Sequence, residues 1–166
     1  MVLQERVTLD VLTAYYSKER RNLEFFERLR LEARKSLEKN KHAALIIGKG
    51  GTVFGIGRND NGHANSFLWL PYERKFKRTV HAEIHALMDA VRNLPMKDAA
   101  GVLCGSAPRI FRGATLYSYR ETKTGKIANA QPCSKICRPI LQKLGFAGSY
   151  YTTPYEPYIR YESFKS

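Results

Sequence analysis

The chain has 166 residues, 43% of them hydrophobic and 26% charged, which suits one globular domain with a single sizeable core. Its 28 Lys and Arg outnumber 15 Asp and Glu for a net charge of +13, so phosphates and polyanions are the expected partners. The longest apolar run, Ala43 to Ile47, is far short of the ~20 residues of a membrane span, so no membrane partner is expected. Three cysteines exclude a complete disulfide framework. Met1 to Arg6 carries no secretory h-region, so a cytoplasmic, reducing setting is expected, with thiols kept for metal or chemistry.

In chain order, residues 1–40 read as an N-terminal helical segment. Thr8-Leu9-Asp10 is placed to cap a short first helix, and Ser17 to Lys39 holds no Gly or Pro. There Leu23, Phe26, Leu29 or Leu31, Ala33 and Leu37 recur at helical intervals. The other face, with Arg20, Arg21, Glu24, Glu27, Arg28, Arg34 and Lys35, reads as solvated. Ala43 to Ile47 has the length and continuous apolarity of a buried strand. Lys49-Gly50-Gly51 turns the chain, and Thr52 to Ile56 returns as a hairpin.

Residues 60–78 form a long connection with an aromatic cluster (Phe67, Trp69, Tyr72) and a basic one (Arg74, Lys75, Lys77, Arg78). A second helix starts near His81, carries Ile84, Leu87, Met88, Val91 and Leu94 on one face, and stops at Pro95. Gly113 to Arg120 reads as a strand, Thr124-Gly125 as a turn, and Ile127 to Gln131 leads to Cys133 and Cys137. Ile140, Leu141 and Leu144 share a helix face that Gly145 ends, and Ser149 to Thr153 reads as the last strand. The aromatic tail, 154–166, is expected to pack on the surface or line a pocket. Strands alternating with helices in the second half predict a mainly parallel sheet after the opening hairpin.

The chemistry gathers in Thr79-Val80-His81-Ala82-Glu83-Ile84-His85 and Gln131-Pro132-Cys133-Ser134-Lys135-Ile136-Cys137. One imidazole and two thiolates are three ligands for tetrahedral Zn2+ and leave a fourth position for water. Zinc lowers the pKa of that water to about 7. Glu83 sits beside a ligand and is free to move protons. Cys133 and Cys137, four apart on a helical turn, would project to one side. The thiols also fit as small buried hydrophobes, but Pro132 and the paired motifs favour the metal. His85 could replace His81, serve a second metal, or donate a supporting hydrogen bond, and the last is expected. Cys104 is read as incidental.

His-Ala-Glu followed by Pro-Cys-spacer-Cys resembles the cytidine deaminase superfamily, whose signature places the Glu as general acid/base. The run from Lys41 through Gly57-Arg58-Asn59 resembles the opening hairpin of deoxycytidylate and tRNA adenosine deaminases. Gly113 to Tyr117 resembles the strand before that family's cysteines. The resemblance spans about residues 20–153 and implies a three-layer α/β fold, a five-stranded mixed sheet flanked by helices, in one domain over 1–166. It implies His81, Cys133 and Cys137 as zinc ligands and Glu83 as the proton shuttle. It places Asn59 at the sugar or base and the Ala82 amide at the base carbonyl. It also implies possible homo-oligomers. The spacer departs from the pattern, with three residues, Ser134-Lys135-Ile136, where two are usual. Pro139 follows, so an irregular turn is expected.

The first expectation for function is hydrolytic deamination of cytosine to uracil on a free nucleotide such as dCMP. Arg74 to Arg78, with Arg78 foremost, and Arg120 are its phosphate candidates, and Tyr119 is a further substrate contact. The second expectation is deamination of cytosine or adenine within single-stranded DNA, RNA or tRNA, with the +13 charge as a backbone track and the loop aromatics as stacking surfaces. The third is a non-catalytic, zinc-stabilised nucleic-acid-binding subunit, for which Glu83 would be superfluous.

Overall fold

The computed structural model of the protein describes residues 20–59, 81–103 and 109–165. Helix α1 (Arg20–Ala33) precedes a hairpin of β1 (Lys41–Ile47) and β2 (Val53–Arg58). Helices α2 (Ala82–Arg92) and α3 (Met96–Leu103) and a short 3-10 turn, Arg109–Phe111, follow. Then come β3 (Thr115–Glu121), the two-residue β4 (Ile127–Ala128), α4 (Cys137–Lys143), β5 (Gly148–Thr152) and β6 (Ile159–Ser163). Five strands form a continuous path, β2-β1-β3-β5-β6, and β4 adds a sixth on β3. The Thr8 cap, the 60–78 connection and Cys104 lie outside the described residues.

Strand β1 is buried on both faces, so its apolar run divides by period two. Ala43, Leu45 and Ile47 join Leu23, Phe26, Leu29 and Ala33 of α1 in one cluster. Ala44 and Ile46 join residues of α2 and α4 in another. The result is three layers with α1 on one face and α2 and α4 on the other. On α1 the core position is Leu29. Leu31 and Leu37 are 56% and 91% exposed, and the helix ends at Ala33, four residues short of Leu37.

The expectation of a mainly parallel sheet is corrected. Only β3 and β5, joined across α4, run parallel. The pairs β1–β2, β1–β3, β3–β4 and β5–β6 are antiparallel. Only one described connection, β3 to β5, passes through a helix between parallel neighbouring strands, and the aromatic tail folds back on β5 as β6. Pro95 stops α2 as expected and also opens α3, because its carbonyl accepts from the N–H groups of Asp98 and Ala99.

Two glycines set α2 against the sheet. A Cβ on Gly55 would collide with the backbone of Ala86 and Ala90, and one on Gly57 with that of Ala86 and His85. The helix backbone therefore lies directly on β2, which brings the amino end of α2 over the start of β1. Among the described residues no helix is long and apolar enough to cross a membrane.

Candidate active site

His81 is the extended N-cap of α2, with φ −66° and ψ 145°. Its Nδ1 lies 3.7 Å from Cys133 Sγ and 3.3 Å from Cys137 Sγ. The three candidate ligand atoms all fall within 4.8 Å of one another. Tetrahedral zinc, with Zn–S of about 2.3 Å and Zn–N of about 2.0 Å, sets N···S separations of about 3.5 Å, and the two distances bracket that value. A borderline-soft donor set of one imidazole and two thiols suits zinc, so the residues fit the ion.

The three-residue spacer is absorbed by a widened turn. Cys133 precedes the helix, whereas Cys137 is the first residue of α4, so the two do not share a regular helical turn. Cys137 donates its backbone N–H to Cys133 Sγ at 3.3 Å rather than to the carbonyl. The Cys133 carbonyl instead accepts from Arg138 N–H, five residues on, at 3.0 Å. Pro139 has no N–H to extend a tighter ladder backwards. Ile136, with φ −126° and ψ −66°, takes up the remaining turn.

Hydrogen bonds link His81, Cys133 and Cys137. The Cys137 thiol beside Cys133, with His81 and two backbone N–H groups, holds the Cys133 thiol far below its usual value. The Cys133 sulfur raises His81, against burial. The same partner and burial raise Cys137. Zinc binding at this site would require the thiolates and the neutral imidazole, and so would release protons.

Glu83 lies on the first turn of α2 with its side chain 2% exposed. Its Oε1 faces His42 Nε2 at 3.7 Å. Its Oε2 is buried without a hydrogen-bond partner among the described residues, an arrangement that leaves one acceptor for a ligand or water. A cavity of about 230 Å3 opens here, lined by His42, Asn59, His81, Glu83, Arg120 and Cys133 among others.

His42 is the residue that sequence reasoning missed. Burial holds its ring below the ordinary histidine value, against the pull of Glu83. Its Nε2 also lies 2.7 Å from Ser118 Oγ. The signal was available, since a polar residue opens an apolar strand two places before Ala44, on the face that meets α2.

Asn59 lines the cavity, but its amide is engaged with the chain. Oδ1 accepts from His42 N–H at 2.9 Å and Nδ2 donates to the Asn40 carbonyl at 2.7 Å. Ala82 is buried on the first turn of α2, between His81 and Glu83. Arg120 lines the cavity from β3. The expectation for Tyr119 is corrected, because alternation turns it to the opposite face of the sheet. There it is 1% exposed in the α1 cluster and donates to Glu121 Oε2 at 2.6 Å. His85 makes a contact with β2. Its Nδ1 lies 3.0 Å from the N–H and 2.9 Å from the carbonyl of Arg58, one bond or the other according to tautomer, so the ring pins the end of β2. Arg78 lies outside the described residues.

Residues 19–153 match the family model described as the cytidine and deoxycytidylate deaminase zinc-binding region. A crystal structure of cytidine deaminase from Burkholderia pseudomallei aligns with a TM-score of 0.49 and 19% identity, over 84% of this chain and 89% of that one. No curated protein matches the chain. With the family model covering most of its length and a zinc-compatible triad inside the match, the chain belongs to the cytidine and deoxycytidylate deaminase family and is a zinc-dependent deaminase of the hydrolase class.

Proposed function

We propose that the protein converts cytosine to uracil on a free nucleotide such as dCMP, with His81, Cys133 and Cys137 as ligands and Glu83 as the proton carrier. The observation that carries this reading is the buried carboxylate of Glu83, one oxygen unpartnered among the described residues, in the same cavity as two of the ligand side chains. A purely structural zinc site has no use for such an acid.

Zinc supplies Lewis-acid activation of the attacking water near neutral pH. Glu83 accepts the proton that the water loses as its oxygen bonds to the amine-bearing ring carbon. Glu83 then delivers that proton to the ring nitrogen, and a second proton transfer lets the amine leave as ammonia. Water and the amino-pyrimidine thus give a keto-pyrimidine and ammonia, with no redox change. Ala82, at the start of α2, offers its backbone amide to the base carbonyl. Asn59 holds the amino end of β1, and with it His42, against the base.

The test is a panel assay. Zinc-loaded protein is offered cytidine, dCMP, dCTP, adenosine nucleotides and cytosine-containing oligonucleotides, and ammonia and product masses are recorded. The expected result is dUMP and ammonia from dCMP. Ammonia from none of the panel would overturn the reading. The +13 charge favours a second reading, deamination within a single-stranded polynucleotide. For that substrate, binding to oligonucleotides would fall steeply with salt.

A further inference from the structure

Arg120 stands apart from the other arginines near the site. Arg58 pairs with Glu32 at 2.8 Å, Arg34 with Glu121 at 3.4 Å and Arg138 with Glu162 at 3.8 Å. Arg120 is half-buried, and its guanidinium makes no ion pair or hydrogen bond among the described residues. Its backbone is fixed, since its N–H donates to Thr152 Oγ1 at 3.2 Å and its register places it beside His42 of β1. A guanidinium taken partly out of water without an anion is costly and poised for one.

Its position says which anion. Arg120 forms the wall shared by the cavity that holds Glu83 and a second cleft of about 380 Å3. That cleft is lined by Asn129, Gln131, Ser134 and Arg138 beside Cys133, and no carboxylate lines it. Asn129 uses its Oδ1 to accept from Gln131 N–H at 2.8 Å, which leaves the NH2 end to donate. The Arg120 guanidinium, the Asn129 amide and the Ser134 hydroxyl are donors that a tetrahedral oxyanion takes, while Arg138 is held by Glu162, and arginine takes such an anion through two parallel N–H bonds.

We infer that Arg120 anchors a phosphate of the substrate in the cleft next to the catalytic cavity, making a nucleotide rather than a nucleoside the preferred ligand. The inference rests on the reading of the cavity as a cytosine-deaminating site and assigns that site its phosphate contact. The neighbouring cleft adjoins the cavity, since the two share Arg120, Asn129, Gln131 and Cys133.

The test is equilibrium binding of dUMP and of deoxyuridine to zinc-loaded wild type, Arg120→Gln and Arg120→Lys, each with verified zinc content and fold. Wild type should bind dUMP about tenfold or more tighter than deoxyuridine. Arg120→Gln should remove most of that preference by weakening dUMP far more than deoxyuridine, and Arg120→Lys should keep part of it. Equal weakening of both ligands, or no change in the dUMP preference, would overturn the anchor. A single-stranded oligonucleotide with an internal deoxyuridine separates the two phosphate sources. Loss of its binding in Arg120→Gln assigns the cleft to a backbone diester, and loss confined to dUMP assigns it to a terminal monoester. If dCMP yields no ammonia while the Arg120-dependent preference for dUMP stands, the deaminase reading fails and the anchor survives.

Discussion

His42 Nε2 lies 3.7 Å from Glu83 Oε1 and 2.7 Å from Ser118 Oγ, so an imidazole from β1 and a carboxylate from α2 face each other in one cavity. Burial is the largest influence on His42 and favours the neutral ring, Glu83 opposes it, and Arg120 and His81 reinforce it. The folded value thus lies below the unfolded one, and the unfolded chain binds more protons between them. Stability from neutral His42 is complete above the ordinary histidine value of about 6.5 and is lost as pH falls through the folded value. Melting of wild type and His42→Asn from pH 7.5 to 5 checks this, with protonation of the metal ligands common to both. The advantage of wild type should shrink as pH falls, and a constant difference would refute it.

Glu83→Gln keeps the shape of the side chain and removes its basicity. Turnover should fall by about 10²-fold or more, in the range of general acid–base contributions, with one zinc per chain retained. Ammonia release and elemental analysis on the same sample check both halves.

Cys137 is fully buried and is one of only three side chains grouped to hold a metal among the described residues. Cys137→Ser should drop zinc content well below one per chain. It should also abolish the fall in melting temperature that chelation produces in wild type, since an ion bound only by the folded chain stabilises it. Melting scans with and without chelator decide this.

Gly57 lies under the backbone of α2, so Gly57→Ala must push the helix from the sheet or strain β2. A cost of about 1–3 kcal/mol is expected, typical of overpacking. Gly50, with nothing within 4 Å of an added Cβ, is the control, and its alanine variant should unfold close to wild type in denaturant.

Much of this was legible because the chemistry is local. His81 and Glu83 share the first turn of a helix whose apolar face is plain, and Pro132 with two spaced thiols marks the facing segment. Strand faces were harder to read. Tyr119 and Arg120 are adjacent in β3, and nothing in a strand buried on both faces says which side chain meets the metal layer and which meets α1. Strand direction was also hidden, since alternating elements look alike whether a chain crosses over or folds back, and β6 lies in an aromatic tail that also suits a surface. The Nδ1 contact of His85 with Arg58 was not readable either, since it depends on how closely α2 lies on the end of β2.

The central claim is that His81, Cys133 and Cys137 gather around one zinc ion with one position left open. X-ray absorption at the zinc edge of the purified protein tests it most directly. The account predicts two sulfurs at about 2.3 Å and two lighter atoms at about 2.0–2.1 Å. A shell of four sulfurs, or one with none, would contradict it.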